Sequence, residues 1–284
     1  MDHDRGVRLP LTDGDPAIVG PVRLTGRLGA GGMSTVYVGD LAGHGEVAVK
    51  VIAVHLSDDE EYRRRLRREV DALRRVSNPR VAPLVDADVD GPAPWLAMAY
   101  LEGPTLHARV TGRGPLPPAE AAVVADELAE GLVALHQVGV VHRDLTPANV
   151  ILTGSGAVIV DLGIARLGGG APLTRTGTTL GTPAWMAPEQ LTGAAVGPPA
   201  DVFAWGGVVT FAATGRAPFG DGDPAAMGYR IVHTPPELAG LDRDLAPIVT
   251  AALAPDPADR PAAATVRTAL AGEVDAARLA APPT

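Results

Sequence analysis

Val141-His142-Arg143-Asp144-Leu145-Thr146-Pro147-Ala148-Asn149 is the stretch on which the reading of this chain turns. It is too polar to be core. Directly after it, Val150-Ile151-Leu152, Thr153-Gly154-Ser155-Gly156 and Ala157-Val158-Ile159-Val160 read as a tight hairpin. Folding that hairpin puts Leu152 opposite Ala157, and so brings Asn149 near Val160 and Asp161. Two oxygen ligands from opposite strands then meet at one open end. That suits Mg²⁺, which takes a few hard oxygen ligands together with phosphate and water. Asp144, five residues before Asn149, sits close by as a base. A turn held by Asx bonds explains each residue singly, but not the cluster.

Outward from this stretch, the chain divides in two. Upstream, Pro118 opens a long helix with Ala121, Val124, Leu128, Leu132 and Leu135 at helical spacing, and Gly139 stops it. Residues 22–54 alternate as half-buried strands do: Val22 and Leu24, Val36 and Val38, then Val47, Val49 and Val51. Gly29, Gly31 and Gly32 lie between the first two strands. Residues 57–76 read as a helix, with Ser57 and Glu60 as a capping box and Tyr62, Leu66, Val70 and Leu73 on its apolar face. Glu69 points with that face, and a carboxylate there needs a partner. Lys50, ending the preceding strand, is the inward-facing candidate; Arg65 is the local one. Residues 81–101 return to strand character, and Gly103-Pro104 marks a boundary. The expected organisation is α+β: a leader (1–20), a small strand-rich lobe with one key helix (21–101), a larger, mainly helical lobe (102–271), and an Ala/Pro-rich tail that frays (272–284).

Composition narrows the function. The 284 residues are 46% hydrophobic and 20% charged, which is globular. A net charge of −9 argues against nucleic acid as a partner. With no cysteine, disulfides, zinc–thiolate sites and thiol catalysis are excluded. The longest strongly apolar run, Val202 to Thr214, falls short of the ~20 residues a membrane span needs, and Met1 to Asp4 has no signal-peptide character. The expectation is a cytoplasmic protein with no membrane segment in this chain. Of the 24 basic residues only Lys50 is lysine. Arginine bias explains the surface, and makes the one compact ammonium more telling.

The motifs together resemble the protein kinases, and within them the serine/threonine kinases of actinobacteria, over roughly residues 20–271. Leu28-Gly29-Ala30-Gly31-Gly32-Met33-Ser34-Thr35-Val36-Tyr37 is similar to the glycine-rich loop, and Val47-Ala48-Val49-Lys50 to the strand with the phosphate lysine. Glu69 falls where the partner glutamate belongs. His142-Arg143-Asp144 to Asn149 matches the catalytic loop, Asp161-Leu162-Gly163 the magnesium motif, and Ala187-Pro188-Glu189 the close of the activation segment. Six motifs in order are specific in a way one glycine loop is not.

The resemblance implies a bilobal kinase fold and transfer of the ATP γ-phosphoryl group to Ser/Thr hydroxyls of proteins. It assigns Lys50, held by Glu69, to the α- and β-phosphates, Asn149 and Asp161 to Mg²⁺ (or Mn²⁺), and Asp144 to the attacking hydroxyl. Leu28, Gly29, Ala30, Gly31 and Gly32 would close over the nucleotide, with backbone N–H groups approaching the phosphates at Gly29 and Gly31. Val36 and Ala48 would roof the adenine and Ile151 floor it. Met98 would be the gatekeeper, with Ala99 and Leu101 bonding adenine through the backbone. It also implies autophosphorylation in trans at Thr174 and Thr176 with Arg143 gripping the phosphate, Thr182 touching Asp144, a buried Glu189–Arg260 pair, Asp201 as helix cap or loop brace, and pairing of two copies through the small lobes. Three positions depart from the pattern: Ser34 for a third loop glycine, Leu162 for phenylalanine, and Thr146 for a second active-site lysine. The rival readings are a pseudokinase scaffold and a small-molecule phosphotransferase of the kinase-like fold.

Overall fold

The alternating segments form one antiparallel sheet in the computed structural model, which describes residues 8–53, 59–163, 183–274 and 279. Its strands are β1 (Ile18–Val19), β2 (Val22–Ala30), β3 (Ser34–Leu41), β4 (Gly45–Ile52), β5 (Leu84–Asp88) and β6 (Trp95–Ala99), in the order β1-β2-β3-β4-β6-β5. Because strand side chains alternate, Val47 and Val49 of β4 bury on one face with Val22, Leu24, Tyr37, Trp95 and Ala97. Ala48 and Lys50 take the other face, toward the large lobe.

Helix α1 (Glu60–Leu73) packs with Tyr62, Leu66, Val70 and Leu73 buried. It is shorter than the expected 57–76 span. Asp59 caps it, its carboxylate accepting from the N–H groups of Glu61 (2.8 Å) and Tyr62 (3.4 Å). An aspartate there both bonds the orphan N–H groups and complements the helix dipole. The expected cap, Ser57, lies outside the described residues.

The large lobe comprises α2 (Leu106–Arg113), α3 (Pro118–Gln137), the hairpin β7 (Val150–Thr153) and β8 (Gly156–Ile159), then α4 (Pro188–Thr192), α5 (Pro198–Thr214), α6 (Pro224–His233), α7 (Ala246–Ala252) and α8 (Ala263–Leu270). Helix α3 begins at its proline and ends before Gly139, whose φ of +81° an L side chain would strain. Helix α5 is apolar all round because it is the lobe's central post: Phe203, Trp205, Val208 and Val209 are all buried, and the Trp205 indole donates to the Ala125 carbonyl at 2.9 Å. Among the described residues no helix is long and apolar enough to cross a membrane.

The β7–β8 register pairs Leu152 with Ala157 and Val150 with Ile159, as the sequence implied. Glu127 of α3 fixes the hairpin by accepting from the Ala157 N–H at 2.7 Å while pairing with Arg80 at 3.0 Å. Backbone bonds from Ala82 to Ile159 (2.9 Å) and from Ile159 to Arg80 (2.8 Å) stitch the hairpin to the linker from the small lobe.

Candidate active site

Asp201, in the first turn of α5 and 1% exposed, organises the loop quoted at the outset. Its Oδ2 accepts from the His142 N–H and its Oδ1 from the Arg143 N–H, both at 2.8 Å. The His136 Nε2 donates to Oδ2, also at 2.8 Å. A buried carboxylate with three donors holds the backbone of residues 142–143 against the lobe's central helix. Gln190 donates from its side-chain amide to the Arg143 carbonyl at 2.8 Å. So held, Arg143 keeps a φ of +62°, and Asp161 across the site one of +54°. Both are strained positions for non-glycine residues.

His142 is fully buried and its pKa lies below the ordinary 6.5, chiefly because burial disfavours the charged ring. The Asp144 N–H points at Nδ1 at 3.2 Å, so Nδ1 accepts, and Nε2 carries the proton and donates to the Val160 carbonyl at 3.2 Å. The neutral ring thus bridges the catalytic loop to the strand that delivers Asp161. The Gly163 N–H closes the same bridge onto the His142 carbonyl at 2.9 Å; a Cβ at Gly163 would lie 2.7 Å from that oxygen.

Asn149 ends a 3₁₀ turn (Pro147–Asn149), its carbonyl accepting from the Val160 N–H at 2.9 Å. Its amide nitrogen donates to the Asp144 carbonyl at 2.6 Å, which leaves its side-chain oxygen as an acceptor. With the Asp161 carboxylate beyond Val160, the open end of the hairpin offers two hard oxygen groups. That donor set fits a divalent cation.

Lys50 reaches this end from β4. Its ammonium lies 2.8 Å from Asp161 Oδ1 and donates to the Leu162 carbonyl at 2.9 Å. The expected Lys50–Glu69 pair is therefore not the one in the structure. Glu69 pairs instead with the Arg143 guanidinium. The physical reason is reach: Arg143 comes into the space beside α1 on a longer, forked side chain, while Lys50 already has two oxygen partners. The exchange leaves Glu69 imperfectly satisfied. Its Oε2 is buried and has no hydrogen-bond partner among the described residues, as is true of the neighbouring Tyr62 hydroxyl. Burial pushes the Glu69 pKa above its ordinary 4.5, against the lowering effect of Arg143.

The apolar candidates lie on the sheet (Leu28, Val36, Ala48, Met98 and Ala99), just after it (Leu101) and on β7 (Ile151). Ala48 pairs with Met98 and Val47 with Ala99; Val36 lies beside Lys50 in the ladder. Val36, Ala48, Met98, Ala99 and Leu101 are half-buried, whereas Leu28 and Ile151 are buried. The glycine-rich segment is a turn over residues 31–33. The expected use of Gly31 as a phosphate donor meets a competitor here, because its N–H donates to the Ser34 carbonyl at 2.8 Å. Gly29 pairs with Val36 inside the ladder, followed by Ala30 with Thr35, and Gly32 is open on its Cβ side. Leu162 is buried in the main core, so the apolar exchange is accommodated by packing. Thr174, Thr176 and Thr182 lie outside the described residues.

Further out, Glu189 and Arg260 form a two-pronged buried pair at 2.7 and 2.9 Å. The protein kinase domain model matches residues 22–269. The chain belongs to the protein kinase family.

This kinase domain is 45% identical over 255 residues to "Probable serine/threonine-protein kinase PkwA" of Thermomonospora curvata, a match covering 90% of this chain and 34% of that protein. It is 41% identical over 259 residues to the serine/threonine-protein kinase AfsK of Streptomyces griseus, covering 89% and 31% respectively. The chain thus spans about a third of the length of these curated relatives. Among solved structures, the Mycobacterium tuberculosis PknI kinase domain superimposes with a TM-score of 0.71 at 28% identity, over 94% of this chain and all of that one.

Sequence reasoning missed the Arg143–Glu69 pair, since 74 residues separate the partners. It also missed Gln190 and His136 as supports of the catalytic loop. His136 carried a signal: it stands one residue after Leu135, at the end of α3 and facing the loop.

Proposed function

We propose that this kinase domain transfers the γ-phosphoryl group of ATP to serine and threonine hydroxyls of proteins. The observation that carries the reading is the convergence of Lys50, Asp161, Asn149 and Asp144 on one hairpin end, with the loop fastened to Asp201. Phosphoryl transfer needs little covalent help from the protein; positioning and charge neutralisation do most of it. Lys50 supplies the cation for the α- and β-phosphates. Asn149 and Asp161 would hold magnesium, which when bound neutralises phosphate charge. Asp144 orients the acceptor hydroxyl and takes its proton. Leu28, Val36, Ala48 and Ile151 enclose the base, with the backbone at Ala99 and Leu101 giving its polar edge partners.

The Arg143–Glu69 pair also supports activation by phosphorylation in trans at Thr174 and Thr176. A loop phosphate is a stronger ligand for Arg143 than one carboxylate is, because it adds up to two charges and three acceptor oxygens. Its arrival would release Glu69, whose unpartnered oxygen then takes Lys50. The name of the relatives and Thr182 both favour Ser/Thr acceptors. Thr146, in place of a second lysine, lowers the cationic help available to the transferred group.

Incubating the protein with ATP, Mg²⁺ and a generic protein substrate tests this, with Asp144→Asn as control. Transfer to protein that disappears in the variant is expected. Nucleotide binding without transfer would instead establish a pseudokinase, and transfer only to small molecules a phosphotransferase of another class. Mass spectrometry of active enzyme with no phosphate on Thr174 or Thr176 would overturn the activation step.

A further inference from the structure

The kinase match begins at residue 22, yet the described chain before it is built into the sheet. The outer face of the small lobe is apolar: Val22, Leu24, Tyr37, Leu41, Val47, Val49, Trp95 and Ala97 are all buried there. Helix α1 and the cleft occupy the opposite face, so something else must cover this one. The cover is residues 11–19, with Leu11 and Val19 packed on the cluster. The same segment occupies the edge of β2. Leu9 and Arg27 exchange backbone bonds at 2.9 and 2.8 Å, the Leu24 N–H donates to Ala17 at 3.0 Å, and β1 pairs with β2. At Gly26 a Cβ would lie 2.6 Å from the Arg8 side chain and 3.0 Å from the Leu9 carbonyl; glycine leaves the segment room to cross.

Asp15 is the fastening. Its side chain is 3% exposed. Oδ1 accepts from the Tyr37 hydroxyl at 2.8 Å and lies 3.2 Å from the Arg27 guanidinium. Oδ2 accepts from the Thr12 N–H and hydroxyl, each at 2.8 Å. Arg27 and Tyr37 are direct partners across the β2–β3 ladder. That ladder is irregular on both sides of Arg27, between Leu24 and Gly26 and between Arg27 and Gly29. Irregular pairing weakens a ladder locally and lets it bend. One carboxylate therefore clamps both strands of the glycine-rich hairpin between its two irregularities, just before Leu28 and Val36. At the other end Arg8 pairs with Glu46, and its guanidinium lies 5.9 Å from the centre of the Tyr100 ring, beside the candidate hinge residues Ala99 and Leu101.

We propose that residues 8–19 are a strap that sets the height of the glycine-rich hairpin over the nucleotide, with Asp15 as its positioning residue. The strap touches no reacting atom and acts through the β2–β3 hairpin. It rests on the reading of the cleft as a nucleotide site.

The test compares wild type with Asp15→Asn, Tyr37→Phe and the double variant. The readouts are affinity for a fluorescent ATP analogue with Mg²⁺, KM for ATP, kcat and the unfolding midpoint. Each single variant is expected to raise KM for ATP and weaken analogue binding about fivefold, the scale of one hydrogen bond, with kcat nearly unchanged. Asp15→Asn keeps one oxygen that can accept from Tyr37 but loses the charge facing Arg27 and one acceptor for Thr12, whereas Tyr37→Phe loses only its hydroxyl, so the double variant should bind nucleotide more weakly than either single. Should Asp15→Asn fail to fold, Tyr37→Phe, which loses one hydroxyl, carries the test alone. Unchanged nucleotide affinity in the variants, whatever happens to the unfolding midpoint, overturns the strap. A wild type that binds no nucleotide overturns both the strap and the kinase reading of the cleft.

Discussion

Arg260 gives the sharpest quantitative test of how the large lobe is held together. All five of its N–H groups have acceptors: Nε donates to the Ala254 carbonyl at 2.7 Å, Nη1 to Glu189 and to Pro199 (3.0 Å), Nη2 to Glu189 and to Pro255 (2.9 Å). Its side chain has no exposure and that of Glu189 only 5%. The guanidinium also lies 4.9 Å from the centre of the Phe203 ring. Arg260→Met would leave Glu189 charged and buried without a partner, a loss of roughly 3–5 kcal/mol. For a domain of this size each kcal/mol moves the unfolding midpoint by about 2–4 °C, so the expected drop is roughly 6–20 °C. Arg260→Lys keeps the charge but has three donors, so at least two acceptors go unmet; its midpoint should fall between the two. The decisive variant is Arg260→Met with Glu189→Leu, because replacing a buried pair by apolar residues of similar volume is often neutral. Thermal unfolding followed by circular dichroism reads all three. If Arg260→Met unfolds within about 2 °C of wild type, or the double variant is as unstable as the single, the burial argument is wrong.

Asp144→Asn should lower kcat about 10²- to 10⁴-fold, the usual worth of a positioned base, with the unfolding midpoint unchanged. Asp201→Ala strips the partners from two backbone N–H groups and His136, so it should lower both the midpoint and kcat, at about 1–3 kcal/mol per orphaned group; unaltered kcat would refute its role as loop support. Glu69 has a folded pKa above its ordinary 4.5, so its favourable contribution is present below that value and lost as pH rises through the raised one. Glu69→Gln should therefore gain stability relative to wild type as pH climbs past 4.5, and a midpoint difference flat in pH would contradict this. His142 has the opposite sign: its pKa is depressed from 6.5, so stability should decline as pH falls below that value, in a titration of unfolding midpoint that His142→Gln would flatten.

Local rules made much of the fold readable. The β7–β8 register followed from a two-residue turn between apolar runs, and α3 from a proline start with apolar residues on one face. The loop from His142 to Asn149 stood out by its polar motif, but its burial did not: His142, Leu145 and Asn149 are enclosed because Asp201 and the hairpin satisfy its polar groups. What could not be read was where long side chains go. Glu69 had Arg65 and Lys50 as visible candidates, and the structure chose Arg143, which tertiary folding alone delivers. The strap was hidden for a different reason: Leu9 and Leu11 are single apolar residues and Ala17-Ile18-Val19 one short run, set among Gly, Pro and Asp without a period. Its signal lay elsewhere. Val22, Leu24, Val47 and Val49 make the sheet apolar on the face away from α1, and a face of that kind demands a cover.

The left-handed backbone at Arg143 and Asp161 has a consequence for how such a domain can be improved or can drift. Glycine would relax either position by about 1–2 kcal/mol. Glycine at 143 would also delete the guanidinium on Glu69, and at 161 the carboxylate on Lys50. Each deletion leaves a largely buried charge short of its partner, a loss of roughly 3–5 kcal/mol that exceeds the strain relieved. The two ion pairs are thus what keep these backbones in the left-handed region, and a screen for heat resistance alone should retain arginine at 143 and aspartate at 161.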